Sequence, residues 1–149
     1  MEFVQPIRSL KQIETIKKLL KQQSLRDYCL FVLGINSGLR ISDLLKLRIS
    51  DVAEKGKVKD RIRLRENKTN KFKDFPISDN AKSAIREYLK SRQYSENEPL
   101  FISRKNKVFL LRQRAYKILN EVARSIGIQE KIGTHTLRKT FGYHAYNNG

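Results

Sequence analysis

Tyr28-Cys29-Leu30-Phe31-Val32-Leu33-Gly34-Ile35 is the stretch that most limits what this chain can become. It is apolar on every face of a helix, so other elements have to surround it. Both ends are marked. Ser24-Leu25-Arg26-Asp27 reads as a capping box with an acid at the third helical position, and Asn36-Ser37-Gly38 stops the run, Gly38 suiting a left-handed cap. The spacing therefore predicts a buried central helix.

Its partners carry the amphipathic pattern. Ser9-Leu10-Lys11-Gln12 resembles a capping box, followed by Ile13, Ile16 and Leu20 on one face and Lys17, Lys18 and Lys21 on the other. Ser42 is expected to cap a short helix bearing Leu44, Leu45 and Leu47. Ser78 opens a helix whose apolar face is Ala81, Ala84, Ile85, Tyr88 and Leu89, and Leu111, Ala115, Ile118, Leu119, Val122 and Ile126 mark another, closed by Gly127. A last helix opens near Thr134, with Leu137 and Phe141 toward the core. Between these, from Val58, the period changes to two. Ile62 and Leu64 point one way and Arg61, Arg63 and Arg65 the other, Asn67-Lys68-Thr69-Asn70 is turn chemistry, and Phe72 to Ile77 returns. The expectation is a mainly α domain with one small antiparallel β hairpin (α+β), spanning residues 1–149 without a linker. Leu100-Phe101-Ile102 is apolar but of undecided type.

Charge narrows the partners. Thirty-two Lys and Arg against fifteen Asp and Glu leave a formal net charge of +17, spread along the chain. A folded body with that excess attracts nucleic acid, whose phosphates release counterions on contact. Two histidines and one cysteine, far apart, give no zinc-ligand spacing, so no metal or cofactor is expected. Cys29 reads as a buried structural thiol. No apolar run reaches transmembrane length, which points to the cytoplasm, wherever the DNA is.

Four residues stand out for chemistry. Arg40, between Gly38 and Ser42, has its backbone held on both sides, with Asp43 one short turn away to orient it. His135 and Arg138 are spaced i, i+3, on one face of a helix. Lys68 sits at the hairpin tip, with Lys71 and Lys73 as rivals. Two guanidinium forks suit a phosphodiester that gains charge in its transition state, and a histidine and a lysine suit the accompanying proton transfers. Arg61, Arg63, Arg65, Lys71, Lys73 and Lys139 are candidate contacts to a nucleic-acid backbone.

These residues lie in a recognisable order. Gly38-Leu39-Arg40-Ile41-Ser42-Asp43-Leu44-Leu45-Lys46-Leu47 resembles the first arginine box of the tyrosine recombinases, or phage integrases. Thr134-His135-Thr136-Leu137-Arg138-Lys139-Thr140-Phe141 resembles their His-x-x-Arg box, running on through Asn148-Gly149, and Asn67-Lys68-Thr69-Asn70-Lys71 resembles the hairpin that carries their lysine. The resemblance covers essentially the whole chain. It implies the catalytic-domain fold, with double-stranded DNA as partner and a homo-oligomer on DNA when full length. It also implies that Arg40 and Arg138 clamp the scissile phosphate and that Lys68 is the general acid on the 5′ oxygen. His135 would be an acid/base, Asp43 would support the first arginine, and no metal would be needed. Either Lys68 or Lys71 fills the lysine role. A bacterial or phage origin fits.

The resemblance also sets expectations for what these residues lack. In that family a further His or Trp and then the nucleophilic tyrosine follow the second arginine, beyond the reach of Gly149. None of Tyr28, Tyr88, Tyr94, Tyr116, Tyr143 and Tyr146 is a good substitute, and an N-terminal helical DNA-gripping domain is also not among these residues. The expectation is thus a partial catalytic domain, inactive in strand cleavage by itself. The competing readings are a naturally truncated, inactive protein that occupies recombination sites, and a generic basic RNA-binding protein for which the boxes are coincidence.

Overall fold

A computed structural model describes residues 6–65, 69–105, 107–133 and 135–147. The central helix is α2, Leu25–Ser37, in which Cys29 through Gly34 are all buried. Three helices surround it: α1, Leu10–Gln23; α5, Asp79–Lys90; and α7, Thr136–Asn147. A fourth, α6, Arg112–Ser125, packs against α1. The starts follow the expected caps. The Oγ atoms of Ser9, Ser24 and Ser78 accept hydrogen bonds from the amides of Gln12 (3.2 Å), Asp27 (3.3 Å) and Ala81 (3.2 Å). Each satisfies an amide that the first helical turn leaves without a partner.

Two short helices, α3 (Ile41–Leu44) and α4 (Ile49–Val52), follow α2 and lead into two antiparallel hairpins. The smaller pairs β1, Ala53–Glu54, with β2, Lys57–Val58, around Lys55 and Gly56, both at positive φ. The larger pairs β3, Arg61–Arg65, with β4, Phe72–Pro76, in the register Arg61↔Pro76 to Arg65↔Phe72. Ile62 is fully buried and anchors this hairpin, while β3 packs on α4. At its base the Ile77 amide donates to the Asp60 carbonyl (2.8 Å). Residues 99–105 and 107–110 connect α5 to α6 and pair with each other. The Leu100 amide donates to Leu47 O (2.8 Å), Ile102 bridges to Phe109, and the buried Phe101 stacks on Tyr88 at 6.3 Å.

Three expectations are corrected. Leu111 was expected on the apolar face of its helix; it is the N-cap of α6 and 69% exposed, because the helix starts one residue later. Ser42 does not cap α3; the N-cap is Arg40, since Leu39 and Ile41 both bury and the chain turns at once after Gly38. The β1–β2 hairpin was not foreseen, because two paired residues a side leave no readable alternation. Among the described residues no helix is long and apolar enough to cross a membrane.

Candidate functional site

Arg40 is positioned by its neighbours. Gly38 adopts φ +71°, a left-handed conformation that ends α2 cheaply only without a Cβ. The Leu39 amide donates to Ser37 Oγ (3.2 Å), and the Arg40 carbonyl accepts from the amides of Asp43 and Leu44, both at 3.0 Å. Leu39 and Ile41 are buried on either side, so the half-buried Arg40 has a fixed root. Asp43 is only 3% exposed and sits in the first turn of α3. A carboxylate is retained at such a site only with compensating partners.

His135 and Arg138 are held by a separate set of contacts. The segment leading to them is tied to α6 by Asn120. Its Oδ1 accepts from the Ile132 amide (2.8 Å), and its Nδ2 donates to the carbonyls of Ile132 (3.0 Å) and Tyr116 (2.8 Å). The Gly133 amide then donates to Thr136 Oγ1 (2.9 Å), and the His135 carbonyl accepts from the Lys139 amide (2.8 Å). His135 thus stands just before α7 and Arg138 within its first turn, both half-buried. Thr134 lies outside the described residues.

What joins the two arginine segments is the packing of α7 on α2. A Cβ placed on Gly34 would lie 2.6 Å from Leu137 Cδ1, and one on Gly38 would lie 2.7 Å from Phe141 Cδ2. The two glycines form a notch that admits α7. Leu137 precedes Arg138 and Phe141 follows it by a turn, while Gly38 is two residues from Arg40. The second turn of α7 is clasped to the N-terminal segment: the Ile7 amide donates to Thr140 Oγ1 (2.9 Å), whose hydroxyl donates to the Thr136 carbonyl (2.7 Å). His144 Nε2 lies 2.9 Å from Ile7 O, a structural place for this histidine. The sequence reading missed Asn120, Thr140 and the Gly34 notch. Gly34 alone carried a signal, as a helix-interior glycine in an apolar run.

The β3–β4 hairpin is a separate basic finger. Lys68, with Asn67, lies outside the described residues. Lys71 is exposed, and its amide donates to Thr69 Oγ1 (3.3 Å). Arg63 and Arg65 project from the outer face. Arg61 does too, but its Nε is paired with Asp74 Oδ1 at 2.8 Å. Lys73 pairs with Leu64 in register and is half-buried on the inner face, away from the arginines. Lys139 is exposed on α7.

Most of the tyrosines are otherwise engaged. The Tyr88 hydroxyl donates to Leu100 O (2.7 Å), and burial raises its pKa. Lys21 Nζ stands 5.5 Å from the Tyr28 ring centroid, the Tyr116 hydroxyl is buried, and Tyr94 packs on the core. Tyr143 lies edge-on to His144 and under the Arg8 guanidinium. Among the described residues no group of three His, Cys, Asp or Glu side chains is placed to hold a metal ion.

Helices around a buried α2, with a basic hairpin and two arginine segments brought together by α7, define the class to which the comparisons point. Residues 9–149 match the Phage integrase family, and the chain belongs to that family of tyrosine recombinases. It is 48% identical over 146 residues to a probable integrase/recombinase, YoeC, of Bacillus subtilis, covering 98% of this chain and 77% of that protein. It is 33% identical over 142 residues to the tyrosine recombinase XerA of Pyrococcus furiosus, covering 91% of this chain and 47% of that one. Against the tyrosine recombinase XerC of Thermodesulfovibrio yellowstonii it is 34% identical over 133 residues, 83% of this chain and 42% of the relative. The chain therefore spans under half of these two Xer relatives. In fold it is similar to the crystal structure of XerA recombinase (TM-score 0.79, 22% identity, all of this chain and 53% of that one). It is also similar to XerH site-specific recombinase bound to its difH substrate (TM-score 0.72, 21% identity, 97% of this chain and 44% of that one).

Proposed function

We propose that these residues form one catalytic unit that binds double-stranded DNA and clamps a scissile phosphodiester between Arg40 and Arg138. The docking of α7 into the Gly34–Gly38 notch carries this reading, because it brings together two guanidinium-bearing segments roughly a hundred residues apart in sequence. Guanidinium forks stay charged and grip two oxygens at once, so they stabilise the charge that builds on a pentacoordinate phosphorus. His135, beside Arg138, moves a proton on the attacking or leaving oxygen. Asp43 supports Arg40, and Lys68 or Lys71 protonates the 5′ oxygen as it leaves. The outer-face arginines and Lys139 hold the backbone of the duplex.

In the complete protein, a tyrosine outside these 149 residues attacks the phosphate. Its oxygen forms a bond to phosphorus, the 5′ oxygen departs with a proton, and a 3′-phosphotyrosine holds the broken strand. Attack by the 5′ hydroxyl of another strand reverses the step and rejoins the DNA. The protein works as a homo-oligomer on DNA, in the cytoplasm of a bacterium or infected host.

The test pairs Arg40→Ala and Arg138→Ala with Arg86→Ala, an exposed control on α5. In a protein that includes the tyrosine, single-turnover cleavage should fall about 100- to 1000-fold for either clamp arginine and stay level for the control. Equal, small effects from all three would refute the clamp. The placement of Tyr28, Tyr88, Tyr94, Tyr116 and Tyr143 favours a second reading for residues 1–149 by themselves: site occupancy without cutting. A denaturant-stable adduct between this chain and a nicked duplex would refute that reading.

A further inference from the structure

Phe72 is 59% exposed, on the outer face of β4 where the sequence pattern would place a polar residue. The Arg65 guanidinium carbon lies 4.6 Å from its ring centroid and that of Arg63 lies 5.3 Å away, both within cation–π range. The register explains the grouping: Arg65 is its direct cross-strand partner, and Arg63 is one step along the same face. The arginines hold the ring without covering it. Among the described residues Leu10, Val108 and Leu111 are also exposed, but they are aliphatic, and the exposed Phe141 packs over Gly38. Phe72 has no such apolar neighbour among these contacts, and it stands at the tip end of the hairpin beside Lys71.

We infer that Phe72 is an apolar wedge that enters a base step of bound DNA, with Arg63 and Arg65 taking the phosphates on either side. The inference rests on the reading of the chain as a DNA-binding recombinase. Charge selects the occupant: a ring flanked by two guanidiniums and Lys71 suits a polyanion with flat apolar faces, and a duplex is both. A partially inserted phenyl ring unstacks a step and kinks the duplex. The cost is lowest at pyrimidine–purine steps such as TA and CA, so Phe72 also confers a sequence preference where no hydrogen bond reads a base edge. Lys68 or Lys71 does chemistry from this hairpin in the proposed mechanism; Phe72 sets where along the duplex the hairpin seats.

The experiment enriches duplexes of randomised sequence on the folded chain, then substitutes 2-aminopurine at successive positions of an enriched duplex. Binding by the wild type should raise 2-aminopurine fluorescence at one step, and that step should be enriched in TA or CA. Phe72→Ala should lose the signal and the step preference and weaken binding roughly 5- to 150-fold, with the salt dependence of binding unchanged. Arg63→Ala and Arg65→Ala should each flatten that salt dependence by about one phosphate. Phe72→Leu keeps an apolar wedge and should retain part of the signal. Unchanged fluorescence, preference and affinity in Phe72→Ala overturn the wedge while leaving DNA binding intact. So does a loss that sedimentation traces to weakened self-association, which would make Phe72 a contact between copies. If the wild type shows no salt-dependent binding to any duplex, the proposed DNA-binding function fails along with the wedge. Because the ring is exposed, the variants should lose no more stability than surface cation–π contacts supply and should unfold cooperatively in urea, which separates these outcomes from misfolding.

Discussion

The notch between α2 and α7 yields a sharp prediction through Gly34→Ala. Two opposing effects act at this position. Alanine in a helix interior is favoured over glycine by about 1 kcal/mol. The added methyl would stand 2.6 Å from Leu137 Cδ1 and 3.4 Å from Leu137 Cβ and Cγ, so rotating the Leu137 tip relieves only the closest contact. Leu137 is buried, and overpacking of this kind costs about 1–3 kcal/mol. The single variant should therefore be destabilised by about 0–2 kcal/mol, with α7 displaced by a few tenths of an ångström. Leu137→Ala alone opens a cavity and should cost about 2–5 kcal/mol. In that background Cδ1 and Cγ are gone, and Gly34→Ala should become stabilising by about 1 kcal/mol. The double-mutant cycle, measured by urea unfolding, should thus show a favourable coupling of about 1–3 kcal/mol. Additivity within about 0.5 kcal/mol would refute direct packing of Leu137 into the notch. The same single variant should weaken cleavage more than duplex binding, because it shifts Arg138 relative to Arg40 and leaves the hairpin alone.

Three further outcomes follow from particular contacts. Asn120→Ala removes both bonds to Ile132 and should cost about 1–3 kcal/mol, with amide exchange accelerating first at Ile132 and Gly133; unchanged exchange there would refute the strut. Thr140→Val keeps the shape but deletes the acceptor for Ile7 N–H, and should cost about 1–3 kcal/mol, read by urea midpoint and by exchange of the Ile7 amide; a midpoint equal to wild type would show that the clasp contributes nothing. Full burial pushes the Cys29 thiol well above its ordinary pKa, so the native protein should resist thiol reagents and react promptly in denaturant. The folded form keeps this proton when the unfolded form loses it, so the contribution is intact below about pH 8.5 and declines above that, by about 1.4 kcal/mol per pH unit. Cys29→Ala should flatten the decline, and an equal decline in both proteins would be the contrary result.

Much of this arrangement is legible in local pattern. The all-apolar run from Tyr28 could only be a surrounded helix, and serines at three helix starts cap as side-chain chemistry requires. The alternation Arg61-Ile62-Arg63-Leu64-Arg65 specified a half-buried strand and its basic face. What was hidden depends on contacts distant in sequence. Nothing near Asn120 says that its amide will serve as a backbone partner for Ile132, and nothing near Thr140 points to Ile7. Leu111 satisfied the helical period by chance, since periodicity continues past the point where a cap begins. Phe72 fits a strand on either face by composition, and only the register shows it among arginines. The candidate site was read as boxes; why α7 reaches α2 at that height depends on two missing side chains, at Gly34 and Gly38.

The clasp between Ile7 and Thr140 spans 133 residues, and the two arginine segments are also distant in sequence. Order of synthesis then matters. At about 5–20 residues per second, α2 waits about 5–20 s for α7 to be made. During that time the notch and its apolar surroundings have no native cover. Contacts of such long sequence separation are also slow to close. The proposed clamp has no partial form on the nascent chain: half of it would be a lone arginine on a turn. In the proposed function the phosphate grip forms in one step, when the two distant stretches meet, and a chain ending between β4 and α7 has the basic hairpin and Arg40 without Arg138.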